Sequence, residues 1–285
     1  MLAAEAIARS VHYVTTVGLA GLCACPVVLR IRLGFADLER ILAATAAVSW
    51  CALLLFTLLI WSDGSWPALA DPTTWQALVD TSFGRIWCGR FIVLLAFVIL
   101  ALYPVDELRF VQIGLAELAC ISIAATGHAA ADPRWVGPLH LGIDAVHLLS
   151  ATLWPGGLLF LLQLLRPGRL SSVELPRVVS RFSTMSLIAA GVLLATGIFN
   201  AVLTVDHWDL REPYFRTLGF KLALVVALLF VGSINLWRHR PALWRAPSDS
   251  ERDRIRGAIR ILLAWECFLA VLVFVAVGIL TLLPP

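Results

Sequence analysis

Eight long, mostly apolar stretches run through this chain, at 4–29, 38–61, 86–104, 108–128, 138–165, 182–205, 216–237 and 258–282. A helix that crosses the hydrocarbon core of a bilayer needs about 20 such residues, at roughly 1.5 Å of rise for each. The implied fold is all-α: one integral membrane domain over 1–285, a polytopic bundle of about eight transmembrane helices in a lipid bilayer. Composition agrees, because 60% of the residues are hydrophobic and only 14% are charged. A soluble domain averages about 45–50% apolar and about 25% charged residues, and a chain of this size could not bury the excess. Eleven Trp suit the headgroup region, where an indole keeps one end wet. Asp63-Gly64, Asp71-Pro72, Asp132-Pro133 and Arg166-Pro167-Gly168 punctuate the breaks between stretches.

Several classes are set aside by the same residues. The six Cys lie mostly within apolar runs, unlike a secreted disulfide framework. Glu5 precedes Arg9 and no small-residue cleavage pattern follows, so the first stretch reads as a span and not as a signal peptide. A net charge of +3 gives no ground for nucleic-acid binding, and neither a nucleotide-binding glycine loop nor a catalytic triad is visible. The expectation is a non-enzymatic membrane protein.

Direction follows from the basic residues. Arg30, Arg32 and Arg40 follow the first span, Arg109 follows the third, Arg166 to Arg181 follow the fifth, and seven Arg from Arg238 to Arg260 surround the link between the last two. Fifteen of the 22 basic residues thus fall in one alternate set of links, whereas the other set holds Arg85, Arg134, Arg211 and Arg216. Basic links face the cytoplasm. Both termini are therefore expected on the periplasmic side of a bacterial inner membrane.

With that direction, five of the six histidines fall in the outer half of the bundle: His12, His128, His140, His147 and His207. Imidazole is a ligand for Zn, Cu and Fe, and an ionisable group inside a membrane is a candidate functional group. The densest pattern is His140-x3-Asp144-x2-His147, followed by Trp154-Pro155-Gly156-Gly157. Offsets of four, three and seven put the three side chains on one helical face. His140 and His147 are about 10 Å apart along the axis, too far to share one ion unaided. His12 and His147 lie about 12 and about 13 Å inside the outer ends of their helices. A ladder is expected: an outer station of His128 and His140, and a deeper one of Asp144, His147 and His12. Pro155 removes a backbone hydrogen bond and the following glycines allow a bend.

Other intramembrane polar groups divide into two sets. Arg90, Glu117 and Lys221 are expected to form charge pairs that hold the bundle together. Cys23-Ala24-Cys25-Pro26, Asn200 and Glu266 are candidates for a transport path, although Cys23 and Cys25 point about 200° apart on a regular helix.

The residues as a set resemble one family. Ala125-Thr-Gly-His128-Ala, His140 through Trp154, Arg181-Phe-Ser, Thr196-Gly-Ile-Phe-Asn200-Ala, Tyr214 through Lys221 and Phe83-Gly-Arg-x-Trp87-x2-Arg90 are similar to the copper resistance protein D (CopD) family, over nearly the whole chain. The resemblance implies an inner-membrane permease of copper homeostasis and resistance, moving copper from periplasm to cytoplasm and working beside a periplasmic CopC-type copper-binding partner. It makes His128, His140, Asp144 and His147 metal-site positions. Met1 and Met185 are the two methionines, too few for a thioether ladder, so a His/carboxylate site for Cu(II) stands beside Cu(I). The alternative is a b-type haem or quinone-linked redox protein, since haem takes axial His from facing helices and His12 and His147 lie at equal depth.

Overall fold

The computed structural model describes residues 2–103, 106–127, 136–205, 209 and 211–284, and among these it is helical with no strand. Eight helices are long and apolar enough to cross a membrane: α1 (Leu2–Leu29), α2 (Ala36–Trp61), α3 (Ser82–Leu102), α4 (Arg109–Thr126), α5 (Gly137–Leu164), α6 (Leu175–Thr204), α7 (Pro213–Arg245) and α8 (Asp249–Leu280). The eight expected spans are present in register. Three are longer than hydropathy suggests: α6 starts at 175, α7 runs on to 245 and α8 starts at 249. Those extra turns carry arginines, which hydropathy counts as link. A short surface helix, Pro72–Asp80, joins α2 to α3. Asp71 caps it by accepting the Thr73 N–H, which holds the Asp71 carboxyl below its usual range.

Eight antiparallel crossings bring the start of α1 and the finish of α8 to one end of the bundle, here the terminal end. The opposite end is the arginine-rich end. α1 is the central helix, packed against α2, α4, α5 and α8. Its small residues permit close approach: a Cβ on Gly21 would collide with the backbone carbonyl carbon of Gly156, and one on Gly156 would lie 2.5 Å from the Val17 carbonyl oxygen. Small-residue contacts of this kind let membrane helices pack backbone to backbone. α6 packs chiefly on α5 and α7 on α8, so both present apolar faces outward, with Leu187, Ile198, Phe199, Val226 and Phe230 exposed. These are the faces that meet lipid.

α5 is not a regular helix. A π turn spans Thr152–Gly156, where Pro155 has no N–H to give, and a second π turn, Asn235–His239, interrupts α7. Each wide turn re-aims the side chains beyond it. The α5 turn sits at mid-bundle against α1, beneath the histidine-bearing part of the helix.

At the arginine-rich end Arg109 holds Glu39 with two hydrogen bonds of 2.8 and 3.0 Å and also donates to the Cys23 carbonyl at 3.3 Å. A paired, bidentate charge of this kind ties α2, α4 and α1 together.

Candidate functional site

The half of the bundle nearer the terminal end encloses a cavity of about 480 Å³, bounded by α1, α4, α5, α6, α7 and α8. It reaches from Thr126 and Thr281 at the helix ends to Trp154 at mid-bundle. His140, Asp144 and His147 from α5 line it together with Asn200 from α6 and Lys221 from α7. The one-face pattern read from the offsets of four, three and seven therefore faces open space.

The hydrogen bonds fix how these groups are presented. His147 Nδ1 lies 3.0 Å from Thr196 Oγ1, and that hydroxyl gives its single hydrogen to the Val192 carbonyl at 2.7 Å. With its hydrogen so placed, the hydroxyl is an acceptor for His147 Nδ1–H, the tautomer in which Nε2 keeps its lone pair. An imidazole oriented in this way by an outer partner is the form that binds metal ions. Gly197 makes room for the ring, since a Cβ there would lie 3.3 Å from His147 Cε1. Asn200 donates to Asp144 Oδ1 at 2.9 Å, steadying one carboxylate oxygen. Asp144 also interacts electrostatically with Lys221. His140 is buried, 3% exposed, one turn nearer the terminal end.

The deeper station is not assembled as expected. His12 is fully buried against α2: its Nδ1 lies 3.2 Å from the Ala46 carbonyl and 3.3 Å from Ser49 Oγ, and its ring stacks on Trp50 at 4.8 Å. Depth follows from rise, but azimuth follows from the neighbour. Successive residues turn by 100°, so Tyr13 faces the cavity and His12 faces away from it. His12 and His147 thus address different neighbours and do not form a facing pair for haem. Among the described residues no three His, Cys, Asp or Glu side chains converge closely enough to hold one ion. His128 and His207 lie outside the described residues.

Of the three expected charge-pair residues, Lys221 faces a carboxylate, Asp144, whereas the contacts described for Arg90 and Glu117 are with neutral groups. Arg90 donates to Ser122 Oγ at 2.6 Å, to the Ser122 carbonyl and to Thr126 Oγ1 at 3.0 Å, and its guanidinium lies 3.9 Å over the Trp50 ring. Among the described residues, neutral acceptors and an aromatic face hold this buried cation. Glu117 accepts from Thr152 Oγ1 at 3.2 Å, beside the π turn of α5. Lys221 lines the cavity opposite Asp144. Ion pairs among the described residues include Arg109–Glu39, and Arg9–Glu5 at a separation of 2.7 Å. Cys23 and Cys25 are both buried, in different apolar clusters, as their 200° divergence requires. Cys25 packs on Gly157, whose Cβ would lie 2.9 Å from its sulfur.

Two family models match the chain: the copper resistance protein D-like N-terminal domain over residues 1–138 and copper resistance protein D over residues 176–280. The chain belongs to the copper resistance protein D family. Among curated members and relatives, it is 29% identical to the inner membrane protein YebZ of Escherichia coli (strain K12) over 169 residues, 58% of each chain. It is 30% identical to the copper transport protein CutJ of Bacillus subtilis (strain 168), over 84% of this chain and 45% of that protein. It is 27% identical to copper resistance protein D of Pseudomonas syringae pv. tomato, over 76% of this chain and 73% of that protein. The matches to the first two therefore take in about half of those proteins' lengths. No solved structure matches the chain significantly.

Within this copper-resistance fold, sequence patterning singles out His147 and Asn200 but passes over Thr196, Tyr13 and Tyr214, which complete the cavity or its hydrogen bonds. A signal for Thr196 exists: it is four residues before Asn200, on the same helical face. A threonine in a membrane helix ordinarily bonds its own preceding turn, so its second role is invisible without the packing.

Proposed function

We propose that this chain is an inner-membrane copper permease that takes copper from the periplasm through the cavity at the terminal end and passes it toward the cytoplasm. The observation that carries this reading is His147, held at Nδ1 by Thr196, in a cavity it shares with Asp144, Asn200 and His140. The family and the names of its copper-transport and copper-resistance relatives support the cargo. An incomplete ligand set agrees with transport. A conducting site must bind firmly enough to take the ion and loosely enough to release it, and two or three protein donors completed by water meet that need better than a closed cage.

His147 and Asp144 form the deep position, and His140, one to two turns nearer the terminal end, receives the ion first; His128 belongs to that outer position by sequence. Nitrogen and carboxylate donors with no thioether suit Cu(II), and Cu(I) reaches the same histidines as a two-coordinate ion. The terminal end is the face at which a periplasmic CopC-type partner would deliver copper.

Copper titration of the purified protein in detergent tests this directly. Wild type is expected to bind copper saturably, and His147→Ala to weaken that binding at least tenfold and to abolish copper uptake into proteoliposomes. Unchanged binding in His147→Ala would overturn the site, and no saturable binding by wild type would overturn the function.

A further inference from the structure

Beyond Trp154 a second cavity, of about 300 Å³, lies between α5, α6, α7 and α8 in the half nearer the arginine-rich end. Trp154, 5% exposed and set in the π turn of α5, belongs to the walls of both cavities. The second cavity is apolar except for a small group of oxygens. Glu266 from α8 is 4% exposed, and its Oε1 accepts from Asn235 Nδ2 at 2.8 Å. That bond turns the Asn235 amide so that Oδ1 is buried without a partner, although the side chain is 9% exposed and lines the cavity. Ser186 Oγ, on the α6 wall, is likewise buried without a partner. Gly232 faces Glu266 Oε2, with room for a Cβ only at 3.4 Å, so the second carboxylate oxygen is not covered by a side chain there.

Buried polar atoms without partners are rare because each forfeits its hydration. Two of them in one cavity with a carboxylate, the Asn235 oxygen directly beside it, describe a place for something with positive charge or donor hydrogens. Carboxylate, amide and hydroxyl oxygens are hard donors, whereas Cu(I) selects sulfur and imidazole, and no His, Cys or Met lines this cavity among the described residues. Glu266 is also its one charged wall residue among those described: α5 brings Trp154 and Leu161, α6 Ser183 and Ser186, α7 Gly232 and Asn235, and α8 Ile259 and Leu263 beside Glu266. A single carboxylate balances a single positive charge.

We propose that Glu266, Asn235 and Ser186 bind a monovalent coupling cation, a proton or Na⁺, and that Trp154 links its occupancy to copper in the neighbouring cavity. The proposal rests on the copper-permease reading for its purpose but on this cavity for its site. One aromatic side chain shared by two cavities cannot shift for one without reshaping the other, which is what a coupling free energy between two sites requires.

Copper uptake into proteoliposomes, with a pH gradient and a Na⁺ gradient imposed separately, is the test. One of the two gradients is expected to accelerate wild-type uptake at least fivefold, identifying the cation. Glu266→Gln is expected to bind copper within twofold of wild type yet to lose that acceleration. Gly232→Ala, which sets a methyl in van der Waals contact with the second carboxylate oxygen and fills space a cation there would need, should reduce it severalfold. Direct occupancy is read independently of transport, as ²²Na⁺ retained or protons taken up per molecule of purified, monodisperse protein, with one cation lost in Glu266→Gln. Gradient-accelerated uptake that survives Glu266→Gln, or equal cation occupancy in the two proteins, would overturn the proposal. Wild type that binds no copper but shows the Glu266-dependent cation would overturn the permease reading and leave this site standing.

Discussion

At the scale of single residues, the cavity nearer the terminal end turns on one hydrogen atom. Thr196 has one to give, and with it on the Val192 carbonyl the hydroxyl accepts from His147 Nδ1–H, the tautomer that leaves Nε2 with its lone pair. Replacing the hydroxyl by a methyl of similar volume removes that acceptor without emptying the space. Thr196→Val is therefore expected to weaken copper binding by roughly 10–100-fold, the usual cost of losing an outer-shell partner, while melting within a few degrees of wild type. A calorimetric copper titration of the two proteins measures it, and equal affinities would show that Thr196 does not set the tautomer. His12 illustrates the opposite case. Its depth was legible from a rise of about 1.5 Å per residue, but its direction was not, because Ala46, Ser49 and Trp50 on α2 decide which way the ring turns. Arg90 likewise could be recognised as a charge needing partners, while Ser122, Thr126 and Trp50 as those partners could not.

At the scale of elements, α5 carries both the histidine-bearing, cavity-lining face and the device that ends it. Above the π turn, His140, Asp144 and His147 point into one cavity; below it the helix packs through Phe160, Leu161 and Leu164 into the apolar core. Trp154-Pro155-Gly156-Gly157 was legible as a bend, since proline lacks an N–H and glycine permits close packing. That the bend is a π turn pressed onto α1 was not, because it depends on Val17 and Gly21 lying across from it. Gly156→Ala therefore carries a definite expectation. The added Cβ meets the rigid Val17 carbonyl, not a movable side chain, and overpacking of this sort costs about 1–3 kcal/mol. Thermal unfolding in detergent should show the loss, against Gly89→Ala, where nothing lies within 4 Å of the new methyl. Equal melting of the two variants would mean that the α1–α5 contact relaxes freely and does not fix Trp154.

At the scale of the whole molecule, the two cavities stand in series along the bundle, with Trp154 between them and α1 as the axis behind. Such an arrangement has a direction only if the bundle has one. The eight spans were readable because lipid demands about 20 apolar residues of each. The turns that extend α6, α7 and α8 were not, because they are polar and owe their helicity to neighbours: Ser248 caps the start of α8 and Trp244 donates to Ser180 Oγ at 3.0 Å. The arginines on those extensions, from Arg238 to Arg260, join those of the other links at the same end and outnumber the basic residues of the opposite end by fifteen to four. Lys and Arg near span ends are retained on the cytoplasmic side. A green fluorescent protein fused after Gly168, between α5 and α6, should therefore fluoresce, and alkaline phosphatase fused there should be inactive. Fusions after Asp209, between α6 and α7, should behave in the reverse way. The opposite pattern would turn the histidine-lined cavity toward the cytoplasm, so that copper would leave by the route here assigned to its arrival, and the cavity of Glu266 would face the periplasm.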